Sequence, residues 1–188
     1  IYTEVLTKAP DLITVSFWDI INDLLELMEE HIYQVDAKVQ VGQIPHLIKV
    51  DGKFFHLLWQ HLLQNALEYR QPNKQLQITI TGHGDEDNWY FSINDNGRGI
   101  PPDEKDTLFD LFRHVHFNEN QHHTGLGLPL VKQIVEQHQG QITVESQVNV
   151  GTKITIQIPR NQPQTKLRAI VPANRQVRNN QQRSLGGS

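Results

Sequence analysis

The chain has 188 residues, no cysteine and a net charge of −4, so it is long enough for one globular domain plus an extension, and disulfides, thiol nucleophiles and thiolate metal clusters are excluded. Hydrophobic residues make up 37% and charged residues 20%, an apolar content low enough to predict a disordered portion. No apolar run approaches the roughly 18 residues of a membrane span, and the N-terminus lacks the charged-then-apolar layout of a signal peptide, so neither a membrane-embedded nor a secreted reading is expected. Because it begins at Ile1 rather than Met, the chain reads as a fragment of something longer.

In chain order, Phe17, Ile20, Ile21, Leu24, Leu25 and Met28 recur at helical spacing behind Ser16, a suitable cap. Short strands are predicted over Ala37–Val41 and His46–Val50. Asp51 then caps a second helix carrying Phe55, Leu58, Leu62 and Ala66 on one stripe and ending near Arg70. Leu76, Ile78 and Ile80, and then Trp89, Phe91 and Ile93, alternate with polar residues on either side of the turn-rich Gly82–Asp87, which predicts a hairpin. Leu128, Val131, Ile134, Val135 and His138 form a third helix closed by Gly140. Ile142 and Val144 pair with Ile154, Ile156 and Ile158 in a final hairpin. Antiparallel pairs interleaved with helices predict an α+β fold, a mixed sheet covered on one face by helices. From Asn161 onwards the chain is polar and carries Lys166, Arg168, Arg175, Arg178 and Arg183 with no acidic residue. This stretch, 161–188, reads as a disordered basic tail in solvent, with no nucleic-acid partner expected.

Three segments carry chemistry. On the second helix, spacings of four and three put His61, Asn65, Glu68 and Tyr69 on neighbouring turns, and an asparagine carbonyl suits a magnesium ion whose other partners are phosphates and water. Asp95-Asn96-Gly97-Arg98-Gly99-Ile100-Pro101 follows a strand directly. Its glycines permit positive φ and close approach of a planar ligand, while a strand-end carboxylate can accept a hydrogen bond from an exocyclic amine. Thr124-Gly125-Leu126-Gly127-Leu128-Pro129 opens the third helix, where backbone N–H groups and the helix dipole favour polyphosphate. Each alone has an ordinary reading: an exposed helix asparagine, a glycine turn, a glycine-rich helix start.

Their order and their spacing of thirty residues from Asn65 to Asp95 and again from Asp95 to Gly125 closely resemble the ATP-binding module of sensor histidine kinases. There they are the N box and two glycine boxes, and Leu108-Phe109-Asp110-Leu111-Phe112 resembles the Phe-rich box between them. The resemblance spans about 11–160 and looks most like the phytochrome-related group. It implies the Bergerat fold, a two-layer α/β sandwich whose mixed, mostly antiparallel sheet is covered on one face by about three helices. It assigns Asn65 to Mg2+, Asp95 to the adenine amine of ATP, and Gly97, Gly99 and Ile100 to the adenine-side turn. Thr124, Gly125, Leu126, Gly127 and Leu128 would meet the phosphates. Tyr69 would pack near the base, and Arg113 would reach phosphate from a lid spanning about Arg113–His123. Hydrolytic relatives place a glutamate four residues before the magnesium asparagine; His61 stands there instead, so a catalytic position for phosphotransfer rather than hydrolysis is implied.

None of the ten histidines fits the family's phospho-acceptor pattern. The resemblance therefore implies a separate, upstream dimerisation domain carrying that histidine, with its junction in residues 1–10, and a response regulator as the later partner. A cytoplasmic setting follows, with no membrane contact by this segment. Glu68 departs from the lysine, and His123 from the glycine, usual at those positions, which keeps a degenerate nucleotide-binding pseudokinase as the alternative. His114, His116, His122 and His123 read as surface histidines of the lid rather than a zinc site, and Phe109 and Phe112 as packing beneath it.

Overall fold

Along the central strands apolar residues alternate with polar ones, which gives a sheet one dry face and one wet face. The computed structural model describes residues 2–110 and 126–162. Its main sheet runs in the order β2 (Lys38–Val41), β4 (Gln77–Gly84), β5 (Asn88–Asp95), β7 (Gly151–Pro159), β6 (Gln141–Gln147). β2 is parallel to β4, and the other neighbouring pairs are antiparallel. Ile78, Ile80, Phe91, Ile93, Ile154, Ile156 and Ile158 are buried on one face. On the other, Thr81 and Ser92, opposite each other on β4 and β5, share a 2.8 Å hydrogen bond.

The second layer is α2 (Phe17–Leu27), α4 (Gly52–Glu68) and α5 (Gly127–Gln137). Their apolar stripes enter the same core cluster as the strand residues. Phe17, Phe55, Trp59 and Phe91 meet with centroids 4.7–6.5 Å apart, mostly edge to face, so aromatic packing ties α2 and α4 to β5. The fold is the expected two-layer α+β sandwich, with a mixed, mostly antiparallel sheet covered on one face.

Both predicted caps form. Ser16 Oγ accepts the Asp19 N–H at 3.2 Å. Asp51 Oδ1 accepts from the N–H groups of Lys53 and Phe54 at 3.1 and 3.0 Å, and its Oδ2 accepts the Asp11 N–H at 2.8 Å. His138, fully buried, completes this junction. Its Nε2 accepts the Asp51 N–H at 2.9 Å, which leaves the proton on Nδ1, 2.8 Å from the Ile134 carbonyl. Burial holds its pKa below the usual histidine value.

The structure differs from expectation at several places, beginning with two elements the sequence did not suggest, a short helix over Tyr2–Thr7 and a strand over Ile13–Ser16. The first predicted helix ends at Leu27, and a short α3 (Glu29–Gln34) follows across Met28; it closes through Asp36 at φ +50°, with the Ala37 N–H on the Ile32 carbonyl at 3.0 Å. The strand expected from His46, β3 (Leu47–Val50), lies outside the main sheet and pairs antiparallel with β1 (Ile13–Ser16). Ile48 and Val50 of β3 are buried in alternation, as in a sheet strand, but alternation within one strand does not say which strand it pairs with. At the end of α5, Gln139 rather than Gly140 takes the left-handed conformation, φ +56°. Gly140 is needed for close approach instead, since a Cβ there would lie 2.7 Å from Ile158 Cδ1 and 3.0 Å from Val135 Cγ1.

Residues ahead of the cap region form α1 (Tyr2–Thr7), whose Val5 is buried, and Gln137 Nε2 donates to the Val5 carbonyl. Gln162 is also buried, its amide donating to the carbonyls of Lys49 and Pro159 at 3.1 Å each, so the chain still packs against the fold just past β7. Among the described residues no helix is long and apolar enough to cross a membrane.

Candidate functional site

The polar stripe of α4 faces the start of α5. A Cβ built on Gly127 would lie 3.4 Å from His61 Nδ1 and 4.0 Å from Asn65 Oδ1, so glycine lets the two helices approach where α5 begins. Asn65 Nδ2 is buried without a hydrogen-bond partner among the described residues. Burial holds the His61 pKa below its usual value, so the ring is neutral at neutral pH. The cap residue of α5, Leu126, supplies no side-chain bond, and Leu128 packs against the core. The structure therefore brings His61 and Asn65 of α4 to Gly127 at the start of α5.

Asp95 ends β5. Its Oδ1 accepts from the N–H groups of Gly97 at 2.8 Å and Thr152 at 3.3 Å. Burial outweighs these two bonds and lifts its carboxyl pKa to about 6. A Cβ on Gly97 would sit 2.7 Å from Asp95 Oδ1 and 2.7 Å from the Tyr69 carbonyl. Gly97 is thus a glycine for contact, whereas Gly99, at φ +70° and pressed onto the Gln147 backbone, needs the left-handed freedom expected of both. The Arg98 N–H donates to the Tyr69 carbonyl at 2.9 Å, and Arg98 Nε to the Arg70 carbonyl at 2.9 Å. The Ile100 N–H donates to Ser146 Oγ at 2.8 Å. Tyr69 caps the C-terminus of α4 beside this turn; burial, with the charge of Glu68, pushes its phenol pKa up.

Glu68 Oε1 accepts from Gln64 Nε2 at 3.0 Å, one turn back along α4. In the Phe-rich segment Leu108 is buried, and the Phe109 ring lies 5.7 Å from Lys132 Nζ of α5, a packing contact. Leu111, Phe112, Arg113, Thr124, Gly125 and the histidines at 114, 116, 122 and 123 lie outside the described residues. Sequence reasoning missed Thr152, Ser146 and Gln71, which hold Asp95, Ile100 and the Asn96–Gly97 turn. They come from β7, β6 and the loop after α4, and no local pattern links them to the turn.

The end of β5 presents a carboxylate suited to an exocyclic amine, and the meeting of α4 with α5 presents a neutral oxygen and a helix start suited to a metal-bound polyphosphate. Together with the sandwich they define a nucleotide-binding domain. The chain belongs to the family of histidine kinase-, DNA gyrase B- and HSP90-like ATPases, whose model matches residues 50–162. It is 30% identical over 158 residues to the phytochrome-like protein Cph1 of Synechocystis sp., an alignment covering 84% of this chain and 21% of Cph1. Among solved structures, full-length ShkA in complex with AMPPNP is similar with a TM-score of 0.73 and 19% identity, covering 89% of this chain and 35% of that one. Histidine kinase ThkA in complex with the response regulator protein TrrA is similar with a TM-score of 0.65 and 22% identity, covering 80% and 42%. These likenesses show the fold, which is also that of the catalytic domain of histidine kinase ThkA, with a TM-score of 0.69 and 23% identity over 80% of this chain and 98% of that one. The chain spans about a fifth of the length of the curated relatives it matches.

Proposed function

We propose that this chain is the catalytic domain of a two-component sensor histidine kinase, transferring the γ-phosphoryl group of Mg·ATP to a histidine on a separate dimerisation domain of the same protein, on the cytoplasmic side. A response-regulator aspartate then receives it. The observation that carries this reading is the pairing of Asp95, fixed by two backbone N–H groups, with Asn65, whose carbonyl oxygen faces the glycine start of α5. AMPPNP in ShkA and the response regulator bound to ThkA support it by analogy.

Asn65 fits a metal of this kind. Its side-chain amide nitrogen is buried and orphaned, and its Oδ1, a hard, neutral oxygen, is the atom that would hold a magnesium ion arriving with the nucleotide's phosphates. Magnesium supplies neutralisation of charge on those oxygens. Asp95 accepts the base amine and so orients the nucleotide; Gly97, Gly99 and Ile100 shape the turn beside it, and Tyr69 packs alongside. The N–H groups at Leu126, Gly127 and Leu128 steady phosphate, with Arg113, Thr124 and Gly125 assigned to the same task. Neutral His61 stands beside Gly127 as a hydrogen-bonding group rather than a carboxylate base. The chain thus aligns and neutralises, while the attacking nitrogen comes from the acceptor histidine. Glu68 is engaged by Gln64, which favours the active reading over a degenerate one.

Calorimetric titration with a non-hydrolysable ATP analogue tests the site: binding weakens in Asp95→Asn and loses its magnesium dependence in Asn65→Ala. Adding the native dimerisation segment and labelled ATP tests the reaction, with acid-labile, base-stable label as the expected product. Intact binding without such label would overturn the kinase assignment.

A further inference from the structure

Gln71 lies in the loop that leaves α4, three residues beyond its end. Its Nε2 donates to the carbonyls of Asn96 at 2.8 Å, Gly97 at 2.9 Å and Asn149 at 3.2 Å. Three acceptors around one atom fix that atom as the amide nitrogen, and two hydrogens serve them with one shared. The Asn149 N–H in turn donates to the Arg98 carbonyl at 2.7 Å, so one side chain joins the end of α4, the turn after β5 and the turn between β6 and β7. On its outer side this turn borders a groove of about 350 Å3 between Pro72, Lys74 and Arg98; the bracing comes from α4 and its loop.

The Asn96–Gly97 peptide is where this matters. A peptide unit is planar and trans, so its C=O and N–H point in opposite directions and turn together. Gln71 holds the oxygen of that unit, and Asp95 Oδ1 accepts from its N–H. We infer that Gln71 is a positioning residue for base recognition: by fixing the Asn96–Gly97 peptide it sets the orientation of the Asp95 carboxylate, and with it the preference for a base bearing an exocyclic amine. This role rests on the nucleotide reading of the site.

Gln71→Glu tests it, since glutamate keeps the length, cannot donate when ionised and turns an anion toward three carbonyl oxygens. Gln71→Met, which keeps length without charge, serves if the first variant fails to fold. Affinities are measured for a non-hydrolysable ATP analogue and for its hypoxanthine counterpart, which carries an oxygen in place of the amine. The expected result is a loss of roughly tenfold in adenine affinity, the worth of one well-made hydrogen bond to a charged acceptor, with much less change for hypoxanthine, so the ratio of the two falls. Equal losses for both bases, or no loss, overturn the positioning role while leaving the nucleotide site intact. Absence of binding of either nucleotide by the unsubstituted chain overturns the site reading and the Gln71 role together.

Discussion

Asp95 answers two opposed demands. As the proposed acceptor of a base amine it serves best ionised, the charged carboxylate being the stronger acceptor, yet burial raises its pKa to about 6 in spite of the N–H groups of Gly97 and Thr152. Affinity for an ATP analogue should therefore fall as pH is lowered through about 6, and Asp95→Asn should bind weakly with little pH dependence; calorimetry between pH 5 and 8 distinguishes these profiles. The same shift has a stability consequence without nucleotide. A raised native pKa favours the folded state below the unfolded value of about 3.9 and loses that advantage as pH rises through about 6. Relative to the native chain, the unfolding free energy of Asp95→Asn should gain about 2–3 kcal/mol between pH 4 and pH 7, read from urea denaturation. A difference that stays constant with pH would refute the shift. Gly99 illustrates a different limit. At φ +70° against the Gln147 backbone, Gly99→Ala should lose about 1–3 kcal/mol of stability, measured by the same denaturation, because strain and overlap act together.

Among the elements, α4 carries the proposed site residues His61 and Asn65 and also its own anchor. Asp51 at its start accepts from Lys53, Phe54 and Asp11, so it caps the helix while holding the approach to β1. Asp51→Ala should cost about 2 kcal/mol, the upper range for an N-cap because a third bond is lost as well; an unchanged urea midpoint would contradict this. His138 connects the end of α5 to the same cap. With its native pKa held below the unfolded value of about 6.5, its contribution is full above that pH and is lost as pH falls toward the native value, and His61 acts with the same sign. Asp95 opposes both below about pH 6. In Asp95→Asn that opposition is gone, so unfolding free energy should decline steadily from pH 7 to pH 5. The Ser16 and Asp51 caps were legible because cap chemistry is local. The break at Met28 and the short α3 were not, since the apolar period runs straight through the break.

For the whole molecule, the aromatic cluster joins the layers. Phe91 of β5 touches Phe17 and Phe55 at 4.7 and 5.3 Å between centroids, and Asp95 lies four residues further along the same strand. Phe91→Ala should cost about 3–5 kcal/mol and weaken nucleotide binding along with it. Loss of binding without loss of stability would mean that the layers are not coupled through this cluster.

The apolar faces of α2, α4 and α5, the hairpins and the mixed α+β layering were readable in the sequence. Periodicity, caps and a carboxylate at a strand end are short-range features, and the motifs together indicated the family. Tertiary structure alone decided that β3 leaves the main sheet to pair with β1, because which strands pair depends on neighbours distant in the chain. It alone decided why each glycine is there, contact at Gly97 and backbone sign at Gly99, since the obstructing atoms belong to Tyr69 and Gln147. The same holds for the pKa of Asp95 and for the grip of Gln71 on the Asn96–Gly97 peptide. Both arise from burial and contacts that exist only once residues far apart in sequence have been brought together.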